Sequence, residues 1–215
     1  MRCVSASGSL ENVLSHMPQG DMAEIRMDMI EDLSLEDIHA IFSMPVQTIA
    51  TCRAGNLADE QRNTYITEAV LSGADWVDLD ISTDLGFLEG IKKLISERHC
   101  KLILSYHNCE ETPSTEELKQ IQQKCADLGA DLIKIAVVGK SKMDVARVLS
   151  LYDFPVPTLS LSMGKIGQIT RFMALFLGAP FTFVMPDNGT QTAPGQLTVS
   201  EFTTYLEKMQ NASKA

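Results

Sequence analysis

The run Leu132 to Val138, LIKIAVV, is apolar except for Lys134. An apolar run of this length, rich in β-branched residues, reads as a strand buried on both faces. An ammonium there costs several kcal/mol or more unless it is paired or loses its proton. Two readings follow. One is a structural ion pair. The other is an amine kept partly neutral by desolvation and nearby cations, so that it can attack a carbonyl carbon. Arg26, Arg53, Lys165 and Arg171 could supply those cations. In LSYHNCEETP, His107 follows the preceding apolar run. A strand-end histidine is commonly structural, but here Lys134 emerges from the next strand. The two together point to imine chemistry with a general acid–base partner.

Other strands carry polar residues in their second halves. Glu24, Arg26 and Asp28 alternate along EIRMD and share one face. They form either a salt-bridged trio or a substrate contact. Arg53 ends TCR at a strand rim, where a plain loop arginine is the simpler reading. Asp78 and Asp80 share a face, where they could orient a base or a cation, or pair with arginines. They are too few for a metal signature. SMGKIGQITR (162–171) offers glycines for close backbone approach, with Lys165 and Arg171 for charge. It reads as an anion site at a helix start or as an ordinary turn. His16, His39 and His99 fall in helical segments and read as solvated.

The elements that must position these residues alternate. Strands are expected at 2–6, 23–29, 46–52, 75–81, 100–106, 131–137, 156–162 and 181–185. Helical patterns lie between them. SLEDIHAIF opens with Ser34 three residues before Asp37, close to a capping box. DEQRNTYITEAVLS stops at Gly73 and TPSTEELKQIQQKCADLG at Gly129. TVSEFTTYLEKMQ supplies a last helix. Eight β-then-α units predict an α/β fold, a compact (β/α)8 barrel forming one catalytic domain over 1–215. An open doubly wound sheet shares the same local grammar. PDNGTQTAPGQ (186–196) is the longest irregular stretch, which marks it as functional or mobile.

The chain has 215 residues and a formal net charge of −10. That balance argues against nucleic acid or an anionic membrane as partner. An anionic ligand would therefore need a local cluster of cations. No apolar run reaches membrane-span length, and the start lacks a signal layout. The five cysteines (Cys3, Cys52, Cys100, Cys109, Cys125) are odd in number and scattered, which suits a reduced cytoplasmic compartment.

The marks EIRMD, TCR, SYHNCEETP, LIKIAVV, LSMGKIGQITR and TAPGQLTV, in that order, resemble type I 3-dehydroquinate dehydratase over nearly the whole chain. The resemblance implies a (β/α)8 barrel, a homodimer, and no metal or organic cofactor. It also implies syn dehydration of 3-dehydroquinate to 3-dehydroshikimate through a lysine Schiff base, in the shikimate route to aromatic amino acids. Lys134 matches the Schiff-base lysine and His107 the catalytic histidine. Glu24, Arg26, Arg53, Arg171, Thr192, Gln196 and Ser5 match substrate contacts, Thr192 and Gln196 from a covering loop. Four features depart from the pattern. Thr192 stands where serine is frequent, and Asn108 where aspartate is common. AGNLADE is shorter than its counterparts and offers no match for an acidic residue found there. Strand one starts almost at the first residue, so little or no hairpin closes the barrel bottom. An aldolase-like Schiff-base barrel and a non-catalytic barrel binding a shikimate-type acid are the alternatives.

Overall fold

The computed structural model describes residues 1–55 and 57–212. Its strands are β1 Arg2–Gly8, β2 Met22–Ile30, β3 Thr48–Thr51, β4 Trp76–Asp80, β5 Lys101–Asn108, β6 Leu132–Val138, β7 Thr158–Met163 and β8 Thr182–Val184. The helices are α1 Leu10–His16, α2 Leu35–Phe42, α3 Asp59–Leu71, α4 Leu85–Arg98, α5 Thr115–Asp127, α6 Lys142–Leu149, α7 Gln168–Phe176 and α8 Val199–Ala212. All eight expected strands are present. β3 starts at Thr48 rather than at 46, because a tight turn closes Val46 N–H onto the Met44 carbonyl just ahead of it.

The strands form one sheet in the order β7-β6-β5-β4-β3-β2-β1-β8, with every recorded ladder parallel. This is a nearly closed (β/α)8 barrel. Among the described residues no ladder joins β7 to β8, and side chains satisfy the backbone at that seam. The Tyr152 hydroxyl accepts from Ser160 N–H and donates to the Ser160 carbonyl. Thr170 Oγ1 accepts from Ser162 N–H, and Arg171 donates to the Phe183 carbonyl. Buried backbone groups left unpaired would be costly.

Alternation along each strand sorts the side chains. Ala23, Ile25, Ala50, Val77, Leu102, Leu104, Ile133 and Ile135 face outward and pack under the helices. Cys3, Met22, Ile49, Ile103, Leu132, Leu159 and Phe181 fill the lower interior. Capping boxes start α2 (Ser34/Asp37), α5 (Ser114/Glu117) and α6 (Ser141/Asp144). α3 ends two residues before Gly73, whose φ of +110° suits a residue without Cβ.

The barrel bottom is closed from within. The Trp76 ring meets Phe181 edge-on at 6.1 Å, and Lys101 Nζ lies 5.0 Å from the Trp76 ring centre. β1 begins at Arg2. One histidine differs from expectation. His16 is buried, because it lies three residues after Val13 on the inward face of α1. His39 and His99 are exposed. Among the described residues no helix is long and apolar enough to cross a membrane.

Candidate active site

Above the apolar floor the interior turns polar. Ser5, Glu24, Thr51, Asp78, Ser105 and Lys134 all lie on the inward face, and all are buried. Over them opens a cavity of about 480 Å³. Glu24, Arg26, Arg53, His107 and Lys134 line it from the strands. Arg171 reaches it from α7, and Thr192 and Gln196 from the loop after β8. Ser5 lies behind this wall, its hydroxyl donating to Glu24 Oε2 at 2.8 Å. Lys165 is exposed and points away, because a 3₁₀ turn over Lys165–Gly167 precedes α7.

Lys134 is 6% exposed. Its Nζ donates to Asp78 Oδ2 at 2.8 Å and to Glu24 Oε1 at 3.2 Å, and sits 4.1 Å from the Phe183 ring centre. The sequence left open an ion pair or a set of neighbouring cations around this amine. The contacts are carboxylates, because register brings Asp78 and Glu24 across the barrel axis to it. Arg53 shares Asp78 Oδ2 and also donates to Ser105 Oγ at 2.8 Å. Arg26 is turned onto Asp28 by two hydrogen bonds of 3.0 and 2.7 Å. Of the expected trio, Arg26 and Asp28 pair with each other and Glu24 serves Lys134.

Burial works to raise the Asp78 carboxyl. The Arg53, Lys134 and His107 charges outweigh it and hold Asp78 far below the usual carboxylate range. Glu24 follows the same pattern, with burial opposed by Lys134, Arg26 and Arg53, and it too is lowered. The site therefore holds two ionised carboxylates at neutral pH. His107 moves the other way for an imidazole. Burial lowers it, Asp80 raises it, and Arg53 and Lys134 lower it further. It is thus a neutral base at neutral pH, well placed to accept a proton. Among the described residues no group of three or more His, Cys, Asp or Glu side chains is placed to hold a metal ion.

Arg171 is 2% exposed and faces no carboxylate among the described residues. It donates to the carbonyls of Gly195 at 3.2 Å and Phe183 at 3.3 Å, with Pro194 at 3.5 Å. Burial lowers it to about 10, so it stays cationic. The loop above is tied down at its base. Gly164 N–H donates to the Pro194 carbonyl at 3.1 Å, and a Cβ on Gly195 (φ +80°) would lie 2.6 Å from the Gly164 oxygen. Gln196 Oε1 accepts from Thr192 N–H and Oγ1 and from Ala193 N–H, while Nε2 donates to Ser5 Oγ. Gln196 therefore joins the covering loop to the Ser5–Glu24 pair below it.

Replacing Arg171 by Ala is expected to raise KM for an anionic substrate about 10- to 100-fold with a smaller change in kcat, as loss of a charge-assisted contact implies. Steady-state kinetics measure this, and an unchanged KM would remove Arg171 from substrate binding.

Three contributors lay outside the expected site set: Asp78, Asp80 and Phe183. Asp78 and Asp80 had a visible signal, two carboxylates sharing one strand face. Phe183 had none, because an apolar strand residue gives no sign that a cation rests on its ring.

The family model described as type I 3-dehydroquinase matches residues 5–213. The chain is 33% identical over 208 residues to the 3-dehydroquinate dehydratase of Methanopyrus kandleri, covering 92% of each. It is 32% identical over 196 residues to the enzyme of the same name from Methanococcus maripaludis, covering 87% of this chain and 88% of that one. In fold it is similar to the crystal structure of 3-dehydroquinate dehydratase from Geobacillus kaustophilus, with a TM-score of 0.87 and 23% identity over 98% of this chain and 91% of that one. By its matched length and its relatives, this chain belongs to the type I 3-dehydroquinase family.

Proposed function

We propose that this chain is a hydro-lyase that removes water from 3-dehydroquinate to give 3-dehydroshikimate, through a Schiff base on Lys134. One observation carries the reading: a single cavity presents a buried amine, a neutral imidazole and a buried guanidinium with no carboxylate of its own. The substrate's carboxylate is the counter-ion for Arg171, met by the planar fork of the guanidinium. Gln196 and Thr192 lie beside it and exchange their mutual hydrogen bonds for substrate contacts.

The steps balance without an added co-reactant. Lys134 must first shed a proton and leave its carboxylates, and His107 is the neutral base in the cavity. The free amine attacks the C3 ketone, and the carbinolamine loses water to give an iminium, the imidazolium passing its proton to the departing hydroxyl and becoming neutral again. The iminium acidifies C2. His107 takes the C2 proton, an enamine forms, and the imidazolium returns the proton to the departing C1 hydroxyl on the same face. Water then releases the product ketone and restores Lys134. The loop over 186–196 covers the site during these steps and limits water.

The turn between β7 and α7 favours a carboxylate over a sugar phosphate. Its Gly164 and Gly167 N–H groups are already bonded to the Pro194 and Gly164 carbonyls, so they do not form a phosphate cradle. We place the enzyme in the cytoplasm as a homodimer. The cysteines are free, as a reducing compartment requires. Met143, Ile166, Ile169, Phe176 and Leu177 are exposed on α6, α7 and the turns flanking α7, an apolar face that a second copy would cover.

The test is turnover. Purified protein given 3-dehydroquinate should generate the absorbance of a conjugated enone, and should leave ketose phosphates uncleaved. Cleavage of a ketose phosphate without enone formation would favour an aldolase-like enzyme. Binding of 3-dehydroquinate without turnover would favour a non-catalytic barrel.

A further inference from the structure

Strand β4 presents two carboxylates to the interior, and they serve different partners. Asp78 Oδ2 is taken by Lys134 and Arg53. Asp80 is fixed by its own turn, with Oδ1 accepting from Ser82 N–H at 3.0 Å and from Ser82 Oγ at 2.6 Å. That leaves Oδ2, which lies 3.5 Å from His107 Nδ1.

The imidazole shows the other half of the arrangement. His107 Nδ1 is buried and has no hydrogen-bond partner within normal geometry. Oδ2 of Asp80 is the acceptor that faces it. No protein hydrogen bond reaches Nε2 among the described residues, and the ring lines the cavity. A donor–acceptor gap of 3.5 Å is just beyond a formed hydrogen bond. Catalytic hydrogen bonds are often long without ligand and tighten in the Michaelis complex.

Resting on the dehydratase reading, we propose that Asp80 is the positioning residue for His107. Its carboxylate accepts from Nδ1–H and so fixes the tautomer in which Nε2 carries the lone pair that meets the substrate's C2 proton. The same carboxylate steadies the imidazolium after proton transfer, as the third member of a catalytic triad does. Asp78 does not take this role: its Oδ2 is shared by two cations, and among the described residues the carboxylate in ion-pair contact with the His107 ring is Asp80. One strand thus sets both catalytic groups, Asp78 at the amine and Asp80 at the base.

The groups facing His107 are Asp80 and Asp78 from β4, Arg53 from the end of β3 and Lys134 from β6. Removing Asp80 leaves the two cations opposed by one carboxylate. Protonation of the ring then becomes harder.

The first measurement is the tautomer of His107 in the unmodified full chain, by ¹⁵N nuclear magnetic resonance of the imidazole nitrogens at about pH 8, where the ring is neutral. His107→Asn identifies the signal among the four histidines. The Nδ1–H form is expected, and the Nε2–H form would overturn the proposal. The second is kinetic. Asp80→Asn should lower kcat about 10²-fold, since the amide can donate to Nδ1 and favour the wrong tautomer. It should also move the acid limb of kcat/KM to lower pH. Asp80→Glu should recover activity to within about 10-fold of the original, a range typical of a misplaced but intact acid–base group. An Asp80→Asn variant with unmoved kcat and acid limb would overturn the proposal. So would equal loss in both variants with the limb unmoved, which would make Asp80 structural. If the unmodified chain shows the Nδ1–H form yet leaves 3-dehydroquinate unchanged, the dehydratase reading fails and the Asp80–His107 pairing stands.

Discussion

Lys134→Met will lose about 10⁵-fold or more of the turnover of 3-dehydroquinate, while the protein stays folded. Most of an enzyme's rate enhancement vanishes with the atom that forms its covalent intermediate. Methionine has no nucleophile, yet it is close to lysine in length and apolar enough for the Phe183 ring. The fold survives because the stranded carboxylates keep other partners. Asp78 retains Arg53, and Glu24 retains the Ser5 and Thr51 hydroxyls. Breaking a buried ion pair still costs about 3–5 kcal/mol, so the variant will melt lower than the parent. Far-ultraviolet circular dichroism checks the fold and enone formation checks the activity. Dehydratase activity within about 10²-fold of the parent would show that the reaction does not pass through Lys134.

The second large effect is at His107. His107→Ala is expected to lower kcat about 10²- to 10⁴-fold, the usual value of a placed acid–base group. The loss should appear in imine formation and in elimination, since the proposed mechanism gives the ring a proton transfer in both. The parent enzyme carries a pH signature of the same residue. Burial, Arg53 and Lys134 together place the ring below an ordinary imidazole, against the pull of Asp80 and Asp78. The base is active when unprotonated. Activity therefore persists as pH falls to the ordinary histidine value of about 6.5, and is lost only below it. An acid limb of kcat/KM above that value, or an alanine variant at parental speed, would make His107 structural.

Much of this site could be read from residue order. An apolar strand interrupted by one lysine, with a strand-end histidine on the strand before it, pointed to imine chemistry, with a structural ion pair as the other reading. The barrel followed from eight alternating units, and alternation predicted which residues of EIRMD and DLD share a face. What could not be read was pairing across the barrel. Lys134 meets Glu24 and Asp78, 110 and 56 positions away, and nothing local specifies those distances. The choice between an ion pair and neighbouring cations around the amine therefore stayed open until the carboxylates were located. Ser5 and Lys165 show a second limit. Both sit in the right segments, but depth in the barrel and a 3₁₀ turn decide whether a side chain reaches the cavity. His16 is a third case. Val13 three residues earlier was the available signal that this helix face turns inward. The seam between β7 and β8, closed by Tyr152, Thr170 and Arg171, depends on tertiary geometry and has no local signature.

The central claim is that Lys134 bonds covalently to the substrate's ketone carbon. Borohydride reduction of the enzyme during turnover of 3-dehydroquinate, followed by proteolysis and mass mapping, tests it most directly. The predicted result is inactivation with one reduced adduct, on the peptide containing Lys134. Full activity after reduction with no adduct, or an adduct confined to a different lysine, would contradict it.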